Sequence, residues 1–502
     1  MKPGIIHMLF ASVAMMMAFQ LNAAVKVVST EIEKSNISLR GDPVVLATVE
    51  IVADEIGIII VDFDGVCISS PGDGIRVAAS NGTSIGINDW GLTFQAYDAD
   101  VNRNNFSHTR SYDVKAGTYT LYALGVNSGQ QLGDGKASIY GKLVAKFFPY
   151  TGSGFAIHEG INKTNINIRG QAVSFGDIII KPETPFDGKF FVKFNGYCVG
   201  SPGDRDVLAA SDHVGWLPND GNTHIEAIND DLLRIPFIHT RVYPSLPVVN
   251  EFYAVGQNYV EQDGSGLASV YGSLLLMYFP DNQTMLLEHE DIASANIDVR
   301  GNPVTVGSLT IDPVVNGVAV VTFNGSCASA SGDRIVLAAS DDGNWGPNTG
   351  ATAVEAIDAD LNSNNFSHTM IYDVEAGSHT FYAIAQNYVE MDGSGIISIY
   401  GSLNVEFYPI GNVGVETPQT QSLEKLIHPN PASGAIQIDL SSFGREKVNI
   451  DVISFLGRKV LQTEANGGES MEVDISAIPA GTYIVLVKGE KSAPRVQKLT
   501  VL

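Results

Sequence analysis

"FDGVC" at Phe63–Cys67 returns as "FNGYC" at Phe194–Cys198 and as "FNGSC" at Phe323–Cys327. Each copy is followed by the same landmarks at the same distances. Gly-Asp pairs stand at Gly72-Asp73, Gly203-Asp204 and Gly332-Asp333. His108, His239 and His368 each lie 41 residues beyond their cysteine, and Tyr140, Tyr271 and Tyr400 lie 73 beyond. Spacing held over that length marks three copies of one domain, not shared short motifs. "ISLRGDPV", "INIRGQAV" and "IDVRGNPV" open the copies, which run over residues 28–150, 154–280 and 288–409.

Inside a copy, apolar residues alternate at period two, as in half-buried strands. In the third, "VAVVTFNG", "RIVLAAS", "HTMIYDV" and "ISIYGSLNVEFYP" are separated by Gly, Asp, Asn and Pro. About seven or eight strands per copy fit a two-layer sandwich, jelly-roll or immunoglobulin-like. The long closing strands favour the jelly roll. The expected fold is therefore all-β, with three tandem β-sandwich repeats, each large enough to fold alone.

Composition agrees. A chain of 502 residues is too long for one domain, and its 51 glycines and 17% charged residues suit a turn-rich β protein. Net charge is −25, unevenly placed: between Ala24 and Val415 there are 20 basic and 45 acidic residues, while the segment from Glu416 is nearly neutral. An acidic surface repels nucleic acid and anionic membrane and favours cations. Residues 1–24, "MKPGIIHMLFASVAMMMAFQLNAA", read as a secretory signal peptide, with small residues at Ala23 and Ala24 for cleavage. No later segment reaches the roughly 20 apolar residues of a membrane helix.

After Pro409 the composition changes: 410–423 is a polar linker and 424–502 a further domain, expected to be a small β-sandwich. It carries "HPNP" at His428–Pro431, "FLGRKV" at Phe455–Val460, "IPAGTYIVLVK" at Ile478–Lys488 and a closing "RVQKLTVL". In these motifs it resembles the type A C-terminal sorting domain of the type IX secretion system of Bacteroidota. The family usually has Tyr where this chain has His428. The resemblance assigns the sorting motif to Pro429, Asn430, Pro431, Gly457, Arg458, Gly481, Tyr483 and Lys498. It also implies a route through the periplasm, an outer-membrane translocon and a sortase-like peptidase as partners, and release or anchoring at the cell surface. An address of this kind says nothing about what the repeats do.

Each repeat has one cysteine, so a disulfide within a repeat is impossible. The plain reading is a small buried hydrophobe just beyond a strand end. Cysteine, histidine and aspartate recur together, but no nucleophile motif surrounds the cysteine. The histidine is better read as bonded to a loop, and catalysis is not expected. Trp90, Trp216 and Trp345 occur once per copy on Gly/Asn-rich stretches, where an indole can stack on a sugar or plug a sandwich end. "DADVNRNN" and "DADLNSNN" align Asp98, Asp100, Asn102 and Asn104 with Asp358, Asp360, Asn362 and Asn364. Clustered oxygen ligands in a loop make Ca²⁺ the candidate cofactor, against an Asx-rich turn; the middle copy has lost half of them. The functional expectation is a secreted or surface-displayed, non-enzymatic binding protein, an adhesin or glycan binder. A surface-layer or filament protein and an extracellular polymer hydrolase are the alternatives.

Overall fold

The computed structural model describes residues 25–501 except 86–90, 96–102, 128–132, 151–153, 181–186, 202, 216–222, 227–233, 247–248, 259–263, 282–284, 346–350, 356–362, 388–392, 411–425, 429–431, 455–458, 480 and 490–494. Residues 1–24, expected to be a signal peptide, and Pro429, Asn430, Pro431, Gly457 and Arg458 thus lie outside the described residues. The chain divides into two compact units, up to Gly411 and from Asn412.

The first repeat has strands β1 (Lys26–Ser38), β2 (Val44–Ala53), β3 (Gly57–Ser69), β4 (Gly74–Ser80), β5 (Leu92–Gln95), β6 (Arg103–Val114), β7 (Gly117–Asn127) and β8 (Lys136–Pro149). They form two four-stranded sheets, ordered β1-β8-β3-β6 and β2-β7-β4-β5. That is the strand order of an eight-stranded jelly roll, which sets the immunoglobulin alternative aside.

The second repeat follows with β9 (Phe155–Asn167), β10 (Val173–Ile180), β11 (Gly188–Val199), β12 (Arg205–Ser211), β13 (Thr223–Glu226), β14 (Arg234–Pro244), β15 (Asn250–Asn258) and β16 (Leu267–Pro280). The third has β17 (Leu286–Asp298), β18 (Val304–Ile311), β19 (Gly317–Ala328), β20 (Arg334–Ser340), β21 (Thr352–Glu355), β22 (Ser363–Val374), β23 (His379–Asn387) and β24 (Ile396–Pro409). Both repeat the same two sheet orders.

The recurring motifs now have physical reasons. Gly65 pairs with Gly141, Gly196 with Gly272 and Gly325 with Gly401, joining the glycine of the opening motif to that of each Tyr-Gly pair. A Cβ on Gly65 would stand 2.3 Å from the Tyr140 carbonyl oxygen, and one on Gly141 2.1 Å from that of Asp64. Gly65→Ala should therefore destabilise by about 1–3 kcal/mol. The measurement is a urea midpoint, and an unmoved midpoint would show that β3 and β8 part here at no cost.

Phe63, Phe194 and Phe323 pack edge-on against Phe106, Phe237 and Phe366, with centroids 4.8, 4.7 and 4.7 Å apart. Two residues on, Nδ1 of His108, His239 and His368 accepts the backbone N–H of Ala79, Ala210 and Ala339 at 3.0, 2.9 and 2.9 Å. The bond reaches a strand of the opposite sheet, not a loop as expected, because alternation points the imidazole into the sandwich. Asp73 and Asp333 are buried and accept from Asn127 and Asn387 Nδ2, both at 2.6 Å, and from the N–H of Gly135 and Gly395. Cys67, Cys198 and Cys327 sit within strands β3, β11 and β19, not beyond their ends, and belong to the three cores. Burial pushes each thiol up, so none is a ready nucleophile.

The central strands β3, β11 and β19 are buried on their outer faces as well as their inner ones. Ile60, Phe148, Phe191, Met277, Val320 and Tyr408 form one shared core drawn from all three repeats. Around it the polar contacts run head to tail. Asn195 Nδ2 donates to Thr109 Oγ1 (3.0 Å), Asn324 Nδ2 to Thr240 Oγ1 (2.9 Å), and Thr369 Oγ1 to Asp64 Oδ2 (2.9 Å). Second meets first, third meets second, and first meets third, so the repeats close a ring. The repeats, each large enough to fold alone, thus share a core that a separated repeat would expose to water.

Equivalent positions in the ring are charged differently. Asp62, Lys193 and Thr322 are counterparts, as are Lys146, Met277 and Glu406. Lys193 Nζ lies 2.9 Å from Asp62 and 3.8 Å from Asp64, and Lys146 Nζ lies 2.6 Å from Glu406 and 3.7 Å from Asp62. All five groups are buried. Burial alone would raise the Asp62 carboxyl, but the ammonium groups of Lys193 and Lys146 and the Thr109 hydroxyl hold it down at about 2.

In the second unit, β25 (Ile427–His428), β26 (Ala435–Asp439), β27 (Lys447–Ser454), β28 (Lys459–Asn466), β29 (Ser470–Asp474), β30 (Gly481–Gly489) and β31 (Arg495–Val501) form sheets ordered β25-β26-β29 and β28-β27-β30-β31. They enclose a core that includes Ile436, Ile450, Val485 and Leu499. The hydroxyl of Tyr483 donates to the Pro479 carbonyl (2.8 Å), Gly481 opens β30, and Lys498 pairs with Ile484 in β31.

Candidate functional site

Where the outer sheet of the first repeat meets the third repeat, the ring leaves a groove of about 420 Å³. The first repeat contributes Val66 from β3, Arg103 from β6 and Tyr140 and Lys142 from β8. The third contributes Arg334 and Val336 from β20, Trp345 just beyond it, and Ala353 from β21. The strand residues arrive by alternation: Val66 points outward because Cys67 points into the core.

Trp345 is half-buried, and its Nε1 donates to Gln386 Oε1 at 2.5 Å. The indole is thus held by its polar edge. Arg103 Nη1 donates to Glu355 Oε1 at 2.9 Å, and Arg334 Nε donates to the same oxygen. The two guanidinium side chains are 24% and 25% exposed, while the Glu355 side chain is 6% exposed. Two positive groups therefore share one buried carboxylate. Elsewhere on the wall Lys142 Nζ is paired to Glu31 at 2.8 Å, Asp64 belongs to the buried ion cluster, and Glu33 is exposed at the rim.

The counterparts of Val66 are Tyr197 and Ser326. Between first and second repeats, the Tyr197 ring stacks on Tyr271, with centroids 5.0 Å apart and an interplanar angle of 18°, and packs against the core of the first repeat. A tyrosine occupies there the space that Val66 leaves open.

Of the tryptophans, Trp345 lines the groove, while Trp90 and Trp216 lie outside the described residues. So do Asp98, Asp100, Asn102, Asp358, Asp360 and Asn362. Asn104 and Asn364 stand in strands β6 and β22, paired with Cys67 and Cys327, not in a loop; Asn364 Nδ2 donates to the Glu355 carbonyl at 2.8 Å. Among the described residues no cluster of His, Cys, Asp or Glu is arranged to hold a metal ion. Local spacing does not single out Arg103, Arg334 or Glu355, and it marks Tyr140 only as a repeat landmark. Their one signal is that Val66, Tyr197 and Ser326 differ at the variable position of the opening motif.

Residues 426–501 match the family model described as a secretion system C-terminal sorting domain. The chain therefore carries an address for export to the cell surface or extracellular space, of the kind used in Bacteroidota. No helix among the described residues is long and apolar enough to cross a membrane. No curated protein matches the chain. Among solved structures, a β-glucuronidase from Ruminococcus gnavus in complex with D-glucuronic acid is similar at 9% identity and a TM-score of 0.14, over 44% of this chain and 46% of that one. PNGase F, a glycosylasparaginase from Flavobacterium meningosepticum, is similar at 10% identity and a TM-score of 0.23, over 51% of this chain and 97% of that one. The chain thus spans less than half the length of the glucuronidase chains it matches.

Proposed function

We propose that this exported protein is a non-enzymatic glycan binder whose site is the groove between its first and third repeats. The observation that carries the reading is Trp345, an indole anchored at Nε1 with its ring in a groove that also holds tyrosine, arginine and lysine. A sugar has an apolar face for an aromatic ring and a rim of hydroxyls for charged and polar side chains. The three cysteine–histidine–aspartate sets do not compete as reaction centres, since their members are buried and engaged in holding each sandwich together.

Three fused repeats with different residues at the Val66 position present unequal surfaces, so simple avidity from three like sites is not the design.

A glycan array probed with the full chain should show a defined set of ligands, and Trp345→Ala should weaken them about tenfold, the loss of one stacked ring. Silence across the array, or binding indifferent to Trp345, would remove the basis for this function.

A further inference from the structure

The floor of the groove is electrically odd for this chain. With a net charge of −25, the protein nevertheless gathers Arg103 and Arg334 in one enclosed place, from two different repeats. Their shared partner, Glu355, offers one charge against two, and among the described residues each guanidinium retains donors beyond the one given to Glu355 Oε1. A planar fork of N–H donors matches the oxygens of a carboxylate or sulfate, and a groove with low-dielectric walls strengthens such a contact. Of the nearby carboxylates, Glu31 is paired with Lys142, and Asp64 accepts from Thr369 with Lys193 Nζ 3.8 Å away. Glu33, like Glu31, stands at the exposed rim, where water screens its charge.

We infer that the groove selects an acidic sugar, one bearing a carboxylate or sulfate that lies on Arg103 and Arg334 while its ring lies against Trp345. This rests on the glycan-binding reading above and narrows its ligand class. It also assigns Val66 a role, as the small residue that keeps this interface open where Tyr197 closes its counterpart. One ligand per chain follows for this groove.

Calorimetry on the full chain with three probes tests it: an oligogalacturonate, a sulfated galactan fragment and a neutral cello-oligosaccharide. At least one acidic probe should bind at one site per chain and the neutral probe at least tenfold more weakly, with affinity falling as salt rises. Arg103→Ala and Arg334→Ala should each cost about tenfold or more, as charged hydrogen bonds do. Val66→Tyr should abolish binding. Melting temperatures of the same variants separate binding from folding, and Arg103→Lys should restore charge without the fork and recover only part of the affinity. Equal binding of neutral and acidic probes, indifferent to both arginines, overturns the acidic selectivity while leaving a glycan site standing. Binding unaffected by Val66→Tyr overturns the location. If arginine loss lowers the melting temperature but not the affinity, the arginines are only an inter-repeat clamp and the inference fails. No binding of any probe defeats it together with the reading on which it rests.

Discussion

Replacing Lys193 with methionine is expected to cost the repeat unit about 3–5 kcal/mol, the usual result of stripping one partner from a buried ion cluster. The cluster holds Asp62, Asp64 and Glu406 against Lys146 and Lys193, a net charge of −1. Without Lys193 the sum becomes −2, and Asp64 loses its ammonium neighbour altogether. Asp62→Asn takes the sum to zero and leaves the pairs Lys146–Glu406 and Lys193–Asp64, so it should cost much less. Denaturant midpoints of the two variants measure the difference, and equal losses would mean that shape rather than charge governs the site. The wild-type Asp62 carboxyl, held at about 2, contributes stability above its unfolded value near 3.8 and loses it as pH falls through about 2. Since the cluster joins first, second and third repeats, the lysine variant should loosen the whole unit in one transition, not one repeat alone.

A gain is expected at Asp206. This side chain is buried in the second repeat where the other copies place Ile75 and Ile335. Burial, and then the nearby Asp204, push its carboxyl up to about 7. Asn258 Nδ2 donates to Asp206 at 3.3 Å, whereas its counterparts Asn127 and Asn387 donate to Asp73 and Asp333 at 2.6 Å. Among the described residues Asp204 Oδ1 has no hydrogen-bond partner. Asp206→Val should therefore stabilise by about 2–4 kcal/mol at pH 7 or above, both by removing a buried charge and by freeing Asn258 for Asp204.

A raised carboxyl costs stability above its unfolded value of 3.8, and the cost is relieved as pH falls from about 7 towards 4. His239 works the other way. Burial and then Arg241 lower it to about 3, so the stability of its neutral form is lost as pH falls from 6.5 to about 3. Protonation would also turn the acceptor of the Ala210 N–H into a donor. The two opposing slopes flatten the wild-type profile between pH 6.5 and 4. In Asp206→Val only the histidine slope remains, so the variant's advantage should shrink on acidification. A benefit that grows in acid would contradict the assignment of both groups.

The jelly roll was legible in the alternation of Phe63, Cys67, Phe106 and His108, because one face of each strand is core and period two records it. The ring was written more faintly. "GIIIV" at Gly57–Val61 and "LLLMYF" at Leu274–Phe279 are continuous apolar runs, which signify strands buried on both faces. What covers the second face cannot be told from such a run, since another copy, another chain or a ligand would leave the same mark. The groove was less legible still. Arg103 and Glu355 meet across 252 residues of chain, and no local period reports a contact between repeats at that distance. Trp345 was visible only as an aromatic on a polar stretch; its neighbours come from the other side of the ring.

Ring closure has a consequence for symmetry. Three separate copies of one sequence would place the same residue three times about the axis, and neither the Asp62, Lys193 and Thr322 set nor the Val66, Tyr197 and Ser326 set could exist. Tandem linkage removes that degeneracy, so each interface can take its own assignment. The ring then has a direction as well as a membership. Rotating the order of repeats preserves every neighbour, whereas exchanging two reverses the sense of travel and sets the wrong faces together. Order along the chain is thereby a chemical property of the assembled unit, encoded in which copy carries which charge.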